Sequence, residues 1–113
     1  MAERSRPGTV TGWGGMSAPA RELLSEDLAS IVDGIPLTRG LGRYYGDSAL
    51  PPAGAPAIVG ARLADRILAF DPRSGRLRAE AGLALQALVW HLLPRGWFPP
   101  VVPGTQFVTL GGM

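Results

Sequence analysis

The chain reads Thr38-Arg39-Gly40-Leu41-Gly42-Arg43-Tyr44-Tyr45-Gly46-Asp47-Ser48 directly after Ile35-Pro36-Leu37. Residues 35–38 predict a short strand, with Pro36 near its start, where a missing amide is tolerated. Three glycines between positions 40 and 46 let the backbone turn sharply. Successive amides aimed at one point form a nest for phosphate or pyrophosphate. Arg39 and Arg43 add charge, and Tyr44 and Tyr45 offer aromatic faces and hydroxyls. Asp47 and Ser48 can bond a polyol hydroxyl or cap the loop. The Lys-Ser/Thr ending of a P-loop is missing, and no helix follows as the Rossmann fingerprint requires. On these residues alone, a plain Gly-rich surface loop is an equal reading.

Working outward toward the N-terminus, residues 1–12 predict a flexible leader and 13–113 a single domain. Ala20 to Leu24 predicts a strand. Ser25 then opens a helical pattern, with Glu26 and Asp27 in its first turn and Leu28, Ile31 and Val32 at helical spacing. Asp33-Gly34 stops it. Strand, short helix and strand together predict a small βαβ unit.

Toward the C-terminus, Leu50 to Pro56 is a Pro/Ala loop and Ala57-Ile58-Val59 a buried strand. Residues 66–70 and 76–81 flank Asp71-Pro72-Arg73-Ser74-Gly75, which predicts a β-hairpin. Leu85, Leu88, Val89, Leu92 and Leu93 recur at three- and four-residue steps, so 83–93 predicts an amphipathic helix, closed by Pro94 and Gly96. Trp97 to Pro103 is extended. Pro103-Gly104-Thr105 turns the chain into a strand over 106–110, which ends in Gly111-Gly112. That glycine pair would expose amides and let a flat ligand lie against the main chain. Alone, a turn and a strand end explain it equally well.

Composition narrows the function classes. Gly (16) and Pro (11) are abundant among 113 residues, yet 46 % of the chain is apolar and 18 % charged, which argues for a folded chain rich in turns. No apolar run approaches the ~18–20 residues that span a bilayer, and the first residues lack the apolar core of a secretory signal. A cytoplasmic location is therefore expected. Without cysteine there is no disulfide, thiolate metal site or Cys nucleophile. One His and no carboxylate cluster exclude a protein metal site. All eleven cations are Arg, scattered without a run, and the formal net charge is only +2. Codon bias in a GC-rich genome explains them, and no nucleic-acid partner is expected. An Arg/Gly nucleic-acid binder is the lesser reading, and it would show steep salt dependence. His91 reads as a surface or packing residue of the helix. Trp90, Trp97 and Phe98 read as core, and Arg76 and Arg78 as a solvated face. No catalytic residue is assigned.

Taken in order, Thr-Arg-Gly-Leu-Gly-Arg-Tyr-Tyr-Gly-Asp-Ser-Ala, a hairpin, an amphipathic helix, Trp-Phe-Pro-Pro-Val-Val-Pro-Gly-Thr and Val-Thr-Leu-Gly-Gly-Met resemble one family. It is the FAD-binding domain of the vanillyl-alcohol-oxidase flavoproteins. The resemblance is closest to the decaprenylphosphoryl-ribose oxidase branch, with sugar-lactone oxidases as cousins. It runs from Thr11 to Met113, and Thr11-Gly12-Trp13-Gly14 also resembles that branch.

The resemblance implies an α+β fold of the PCMH type: a small βαβ subdomain, then the start of a mixed or antiparallel-sheet subdomain, incomplete at the C-terminus. It implies that Thr38, Arg39, Gly40, Leu41, Gly42, Arg43, Tyr44, Tyr45, Gly46, Asp47 and Ser48 wrap the FAD pyrophosphate and ribityl chain. Gly104 would sit near the flavin, and Thr109, Leu110, Gly111 and Gly112 would continue the cradle. Arg43 stands where relatives with covalent flavin carry a His, which implies non-covalent FAD. Tyr44 stands where the closest relatives usually carry Ser. The activity implied is oxidation of an alcohol on a sugar or polyprenyl-phosphate sugar, with hydride passing to flavin, in a full-length context. A lipid substrate would place the protein at the membrane surface. The substrate domain and the family's His-Gly segment are absent. The chain is therefore expected to be an N-terminal fragment that binds FAD weakly or not at all alone. A non-catalytic remnant or nucleotide-binding module is the alternative.

Overall fold

The computed structural model describes residues 4–113. Two sheets and one α-helix carry the fold. Strands β1 (Arg4–Thr11) and β2 (Ser17–Leu24) form an antiparallel hairpin, with Arg4 opposite Leu24 and Thr11 opposite Ser17. The expected leader is thus a strand from Arg4 onward: β2 offers it a ladder of backbone partners, which local composition does not reveal.

Strands β3 (Thr38–Arg39) and β4 (Ile58–Gly60) complete a sheet of order β1-β2-β4-β3, in which β4 runs parallel to both neighbours. The sheet is therefore mixed. Ile58 and Val59 are completely buried, as expected of an apolar strand covered on both faces. The expected βαβ unit is modified in two ways. Its strands are not neighbours, because β4 lies between them. Its helix is only a 3₁₀ turn, Leu28–Ser30. Ser25 does accept the Asp27 amide on Oγ, at 3.0 Å. The Ser30 hydroxyl, however, donates to the Asp27 carbonyl, and Gly34 and Pro36 follow too soon for the chain to recover the cost of helix nucleation.

The second half matches its expected elements more closely. Strands β5 (Ile67–Phe70) and β6 (Leu77–Ala79) form the hairpin, with Leu68 as an extra residue in the ladder. At the turn, Asp71 accepts the Arg73 amide at 2.9 Å and the Ser74 hydroxyl at 2.7 Å, and Gly75 adopts φ +74°. These two bonds, the Ser74 hydroxyl foremost, hold the Asp71 carboxyl below its ordinary pKa.

Helix α1 (Leu85–Leu92) buries Leu85, Leu88 and Leu92 with Leu83, against Ile67, Phe70, Leu77 and Trp97. Trp97 donates its indole N–H to the Pro72 carbonyl at 3.0 Å. Trp90 and Phe98, expected in the core, are instead 69 % and 53 % exposed. Trp90 falls between the buried positions of α1, and Phe98 lies beyond the turn that ends the helix. His91 meets the Phe70 ring edge-on, at 5.9 Å between centroids, a packing role as expected. Arg76 and Arg78 are exposed.

The strand expected over 106–110 is not formed. Only Thr109 pairs, in a single antiparallel bridge with Ala84, and Leu110–Gly112 is a 3₁₀ turn. The reason lies in the start of α1, which has no side-chain cap. The Leu85 amide bonds the Val108 carbonyl at 2.8 Å, and the Gln86 amide bonds that of Gln106 at 3.0 Å. The carbonyls a strand would use thus cap the helix.

Candidate cofactor site

Two segments separated by some sixty residues meet in a cleft of about 350 Å³. Residues 38–44 form one wall. Thr109, Gly111 and Gly112 form the other, with Leu28, Ala49, Ala61, Ala81 and Val108 completing the lining. Each wall has a mechanical origin. The first leaves the carboxyl end of β3, which is held by Val59 N–H to Leu37 C=O and Ala61 N–H to Arg39 C=O, both 2.9 Å. The second is pinned to the lead-in of α1 by Leu110 N–H to Leu83 C=O and Gly111 N–H to Ala81 C=O, also 2.9 Å.

The walls touch at Gly40, where a β-carbon would overlap the Thr109 hydroxyl. Gly42 is buried at φ +76°, and a side chain there would strike the Arg39 guanidinium. Arg39 lies over the Tyr44 ring at 5.7 Å and donates to the Thr11 carbonyl at 3.3 Å. The Tyr44 ring lies flat against Gly12, and the Trp13 amide bonds the Tyr44 carbonyl at 3.3 Å. The turn of the N-terminal hairpin thus braces the loop.

The chemistry of this cleft is that of an anion site. The amides of Gly40, Leu41, Gly42, Arg43 and Tyr44 donate to no protein acceptor among the described residues. Of these residues Gly42 is buried, Gly40, Leu41 and Tyr44 are half-buried and Arg43 is exposed, so a run of amides is left open to a ligand, as a nest requires. Arg39 and Arg43 line the cleft and no carboxylate does. Two buried polar atoms, Arg39 Nε and Tyr44 Oη, have no partner. The rest of the lining is small or apolar and suits a ring system. These donors and this surface fit a nucleotide diphosphate attached to a flat aromatic group.

Six residues expected in the site lie elsewhere. Tyr45 is 83 % exposed. Gly46 and Asp47 continue into a turn closed by Leu50 N–H to Asp47 C=O at 2.9 Å, and the Ser48 hydroxyl donates to the Tyr45 carbonyl. Gly104 lines a separate groove with Val89, Phe98 and Phe107. Leu110 packs into the α1 core. The second motif also contributes differently from the expectation. Its Leu110, Gly111 and Gly112 amides are all engaged by backbone carbonyls, so it supplies surface and the Thr109 side chain. Sequence reading missed Leu28, Ala49, Ala61, Ala81 and Val108, for which the only local signal is small or apolar character beside an element end. Among the described residues no group of His, Asp and Glu can hold a metal, and no helix is long and apolar enough to cross a membrane.

Known proteins share much of this sequence. A family model described as an FAD binding domain matches residues 26–113. The decaprenylphosphoryl-beta-D-ribose oxidase of Mycolicibacterium smegmatis is 38 % identical over 76 residues, 67 % of this chain and 16 % of that protein. The chain thus spans about a sixth of the length of that relative. On the match over residues 26–113 and the related oxidase, the chain belongs to the FAD-binding-domain family, and its cofactor is FAD.

Proposed function

We propose that this chain is the N-terminal FAD-binding portion of an oxidoreductase that oxidises an alcohol of a sugar or sugar-lipid. The observation that carries the reading is that Gly40 to Tyr44, whose amides have no backbone acceptor among the described residues, line one cleft with Thr109. When bound, FAD supplies the hydride acceptor, and the protein supplies orientation and electrostatics. The Gly40–Tyr44 amides and the Arg39 and Arg43 guanidinium groups hold the diphosphate. Leu28, Ala61 and Val108 exclude water from the apolar part. Tyr44 Oη is the buried hydroxyl free to bond the cofactor.

Non-covalent attachment is the reading favoured by Arg43, which stands where the resemblance places the His of covalent relatives. On this reading the mixed sheet, and the hairpin with α1, belong to two subdomains of a PCMH-type domain. The sugar-lipid substrate is inferred from the related oxidase, whose name specifies a decaprenylphosphoryl ribose. A lipid substrate would bring the protein to the membrane surface.

A second reading has its own support: no carboxylate or imidazole lines the cleft, so these residues hold a cofactor without an acid or base. On that reading the chain is a nucleotide-binding module, and catalysis needs residues outside it.

Titration of the ¹⁵N-labelled chain with ADP and FAD, followed by amide chemical shifts, tests the assignment even where binding is weak. The expected result is movement of the Gly40–Tyr44 amides with both ligands. Shifts confined to other regions would overturn it.

A further inference from the structure

Behind the Arg39–Leu41 wall a second groove of about 470 Å³ opens against strands β1 and β2. We propose that this groove is a further phosphate-binding surface, formed by Arg39, Arg43 and Arg62 with the threonines of β1. The proposal rests on the reading of Gly40–Tyr44 as a diphosphate loop.

Four observations lead to it. First, Arg39, Arg43 and Arg62 line the groove with Thr9, Thr11 and one carboxylate, Glu22. The local balance equals the formal +2 of the whole chain, concentrated in one concave surface. Such a surface focuses field lines and raises the local concentration of anions. Second, none of the three arginines is ion-paired among the described residues. Arg39 and Arg43 each give one donor to a backbone carbonyl, of Thr11 and Leu41, and Arg62 gives none. Most of their guanidinium donors are therefore free, and a guanidinium matches phosphate oxygens in paired hydrogen bonds. Third, Arg39 ends strand β3, Gly40 and Leu41 follow it, and Arg62 follows the parallel strand β4, so all lie at the carboxyl ends, where open sheets with parallel strands bind ligands. Fourth, Thr9, Thr11 and Glu22 lie before the residues matched to the FAD binding domain, so the groove joins the family's loop to a hairpin outside that match.

The ligand chemistry is a phosphate or diphosphate. It comes from a phosphoester separate from FAD. Inorganic pyrophosphate is the probe, with the backbone amides and arginine Nε–H signals of the ¹⁵N-labelled chain as readout. The expected result is movement of the Thr9 and Thr11 amides and the Arg62 Nε–H signal. Arg62→Ala should weaken that response about three- to fivefold and leave the Gly40–Tyr44 response in place, with Arg62→Lys retaining most of it. Arg78→Ala, on the exposed side of β6, should change neither. If FAD alone moves the groove signals and pyrophosphate then adds nothing, the groove belongs to the cofactor site and the proposal of a further surface is overturned. If FAD moves only Gly40–Tyr44 and pyrophosphate then moves the groove signals, a separate phosphoester is the occupant. Pyrophosphate that moves Gly40–Tyr44 but not the groove signals overturns this proposal and leaves the loop reading intact. Equal weakening by Arg62→Ala and Arg78→Ala overturns it as diffuse electrostatics. Movement in neither region overturns both readings.

Discussion

Gly40 and Thr109, 69 positions apart, are packed so closely that a β-carbon on the first would overlap the hydroxyl of the second. The contact joins the two walls of the candidate cofactor cleft. Gly40→Ala should push the walls apart, cost about 1–3 kcal/mol of stability, and weaken ADP and FAD binding at least severalfold. Adding Thr109→Ala should restore part of both, because it removes the obstructing atoms. Denaturant midpoints and ADP titrations of the single and double variants measure this coupling.

Tyr44 Oη is buried without a partner. Tyr44→Phe removes an unsatisfied group, so the free protein should keep its stability or gain up to about 1 kcal/mol. FAD binding should weaken severalfold if that hydroxyl bonds the cofactor. Unchanged FAD binding together with raised stability would assign the hydroxyl no role in the site.

Gly82 marks where the two sheets meet. Its amide donates to the Ala64 carbonyl at 2.8 Å, and a β-carbon would collide with the carbonyls of Ala61 and Ala64. Backbone cannot swing aside as a side chain can, so Gly82→Ala should cost about 3 kcal/mol. Urea unfolding reads it directly.

The face of α1 supplies a contrast. Leu88→Ala opens a cavity in the core cluster and should cost about 2–5 kcal/mol. Trp90→Ala, on the exposed face, should stay within about 0.5 kcal/mol. A large loss at Trp90 would show that this indole is covered in solution.

Acid should weaken the hairpin in a definite direction. Glu80 accepts Arg66 Nη2 at 2.7 Å, Nε at 3.1 Å and the Arg66 amide at 2.8 Å. The Arg66 side chain foremost, then its amide, hold the Glu80 carboxyl below its ordinary pKa. A carboxyl depressed in the folded state stabilises above its unfolded pKa and loses that contribution as pH falls through the folded value. The denaturation midpoint should therefore drop as pH falls below the ordinary glutamate range. Glu80→Gln should flatten part of that slope and leave the Asp71 share, which has the same sign.

Much of the second half was legible locally. The Asp71–Gly75 turn chemistry, the helical spacing of Leu85, Leu88 and Leu92, and the closing Pro94 and Gly96 are short-range signals, and hairpin and helix formed where they predicted. Elements that depend on distant partners were not legible. β1 exists because β2 pairs with it, and 106–110 is not a strand because its carbonyls cap α1. Residues 25–32 carry helical spacing but too few residues before Gly34 to sustain more than one 3₁₀ turn.

By itself the sequence determined that the loop at 38–48 can turn sharply, since glycine spacing governs where the backbone is free to do so. A ligand for that loop came from the ordered set of motifs, because the loop alone reads equally well as a surface turn. The tertiary structure alone decided which half of the loop reaches the cleft: Tyr44 is braced against Gly12, while Tyr45 turns out into solvent. It also decided that arginines scattered at positions 39, 43 and 62 share one groove. The reason is physical. Backbone conformation is set by neighbours in the chain, whereas charge density and burial are set by neighbours in space, and parallel strands bring distant strand ends together.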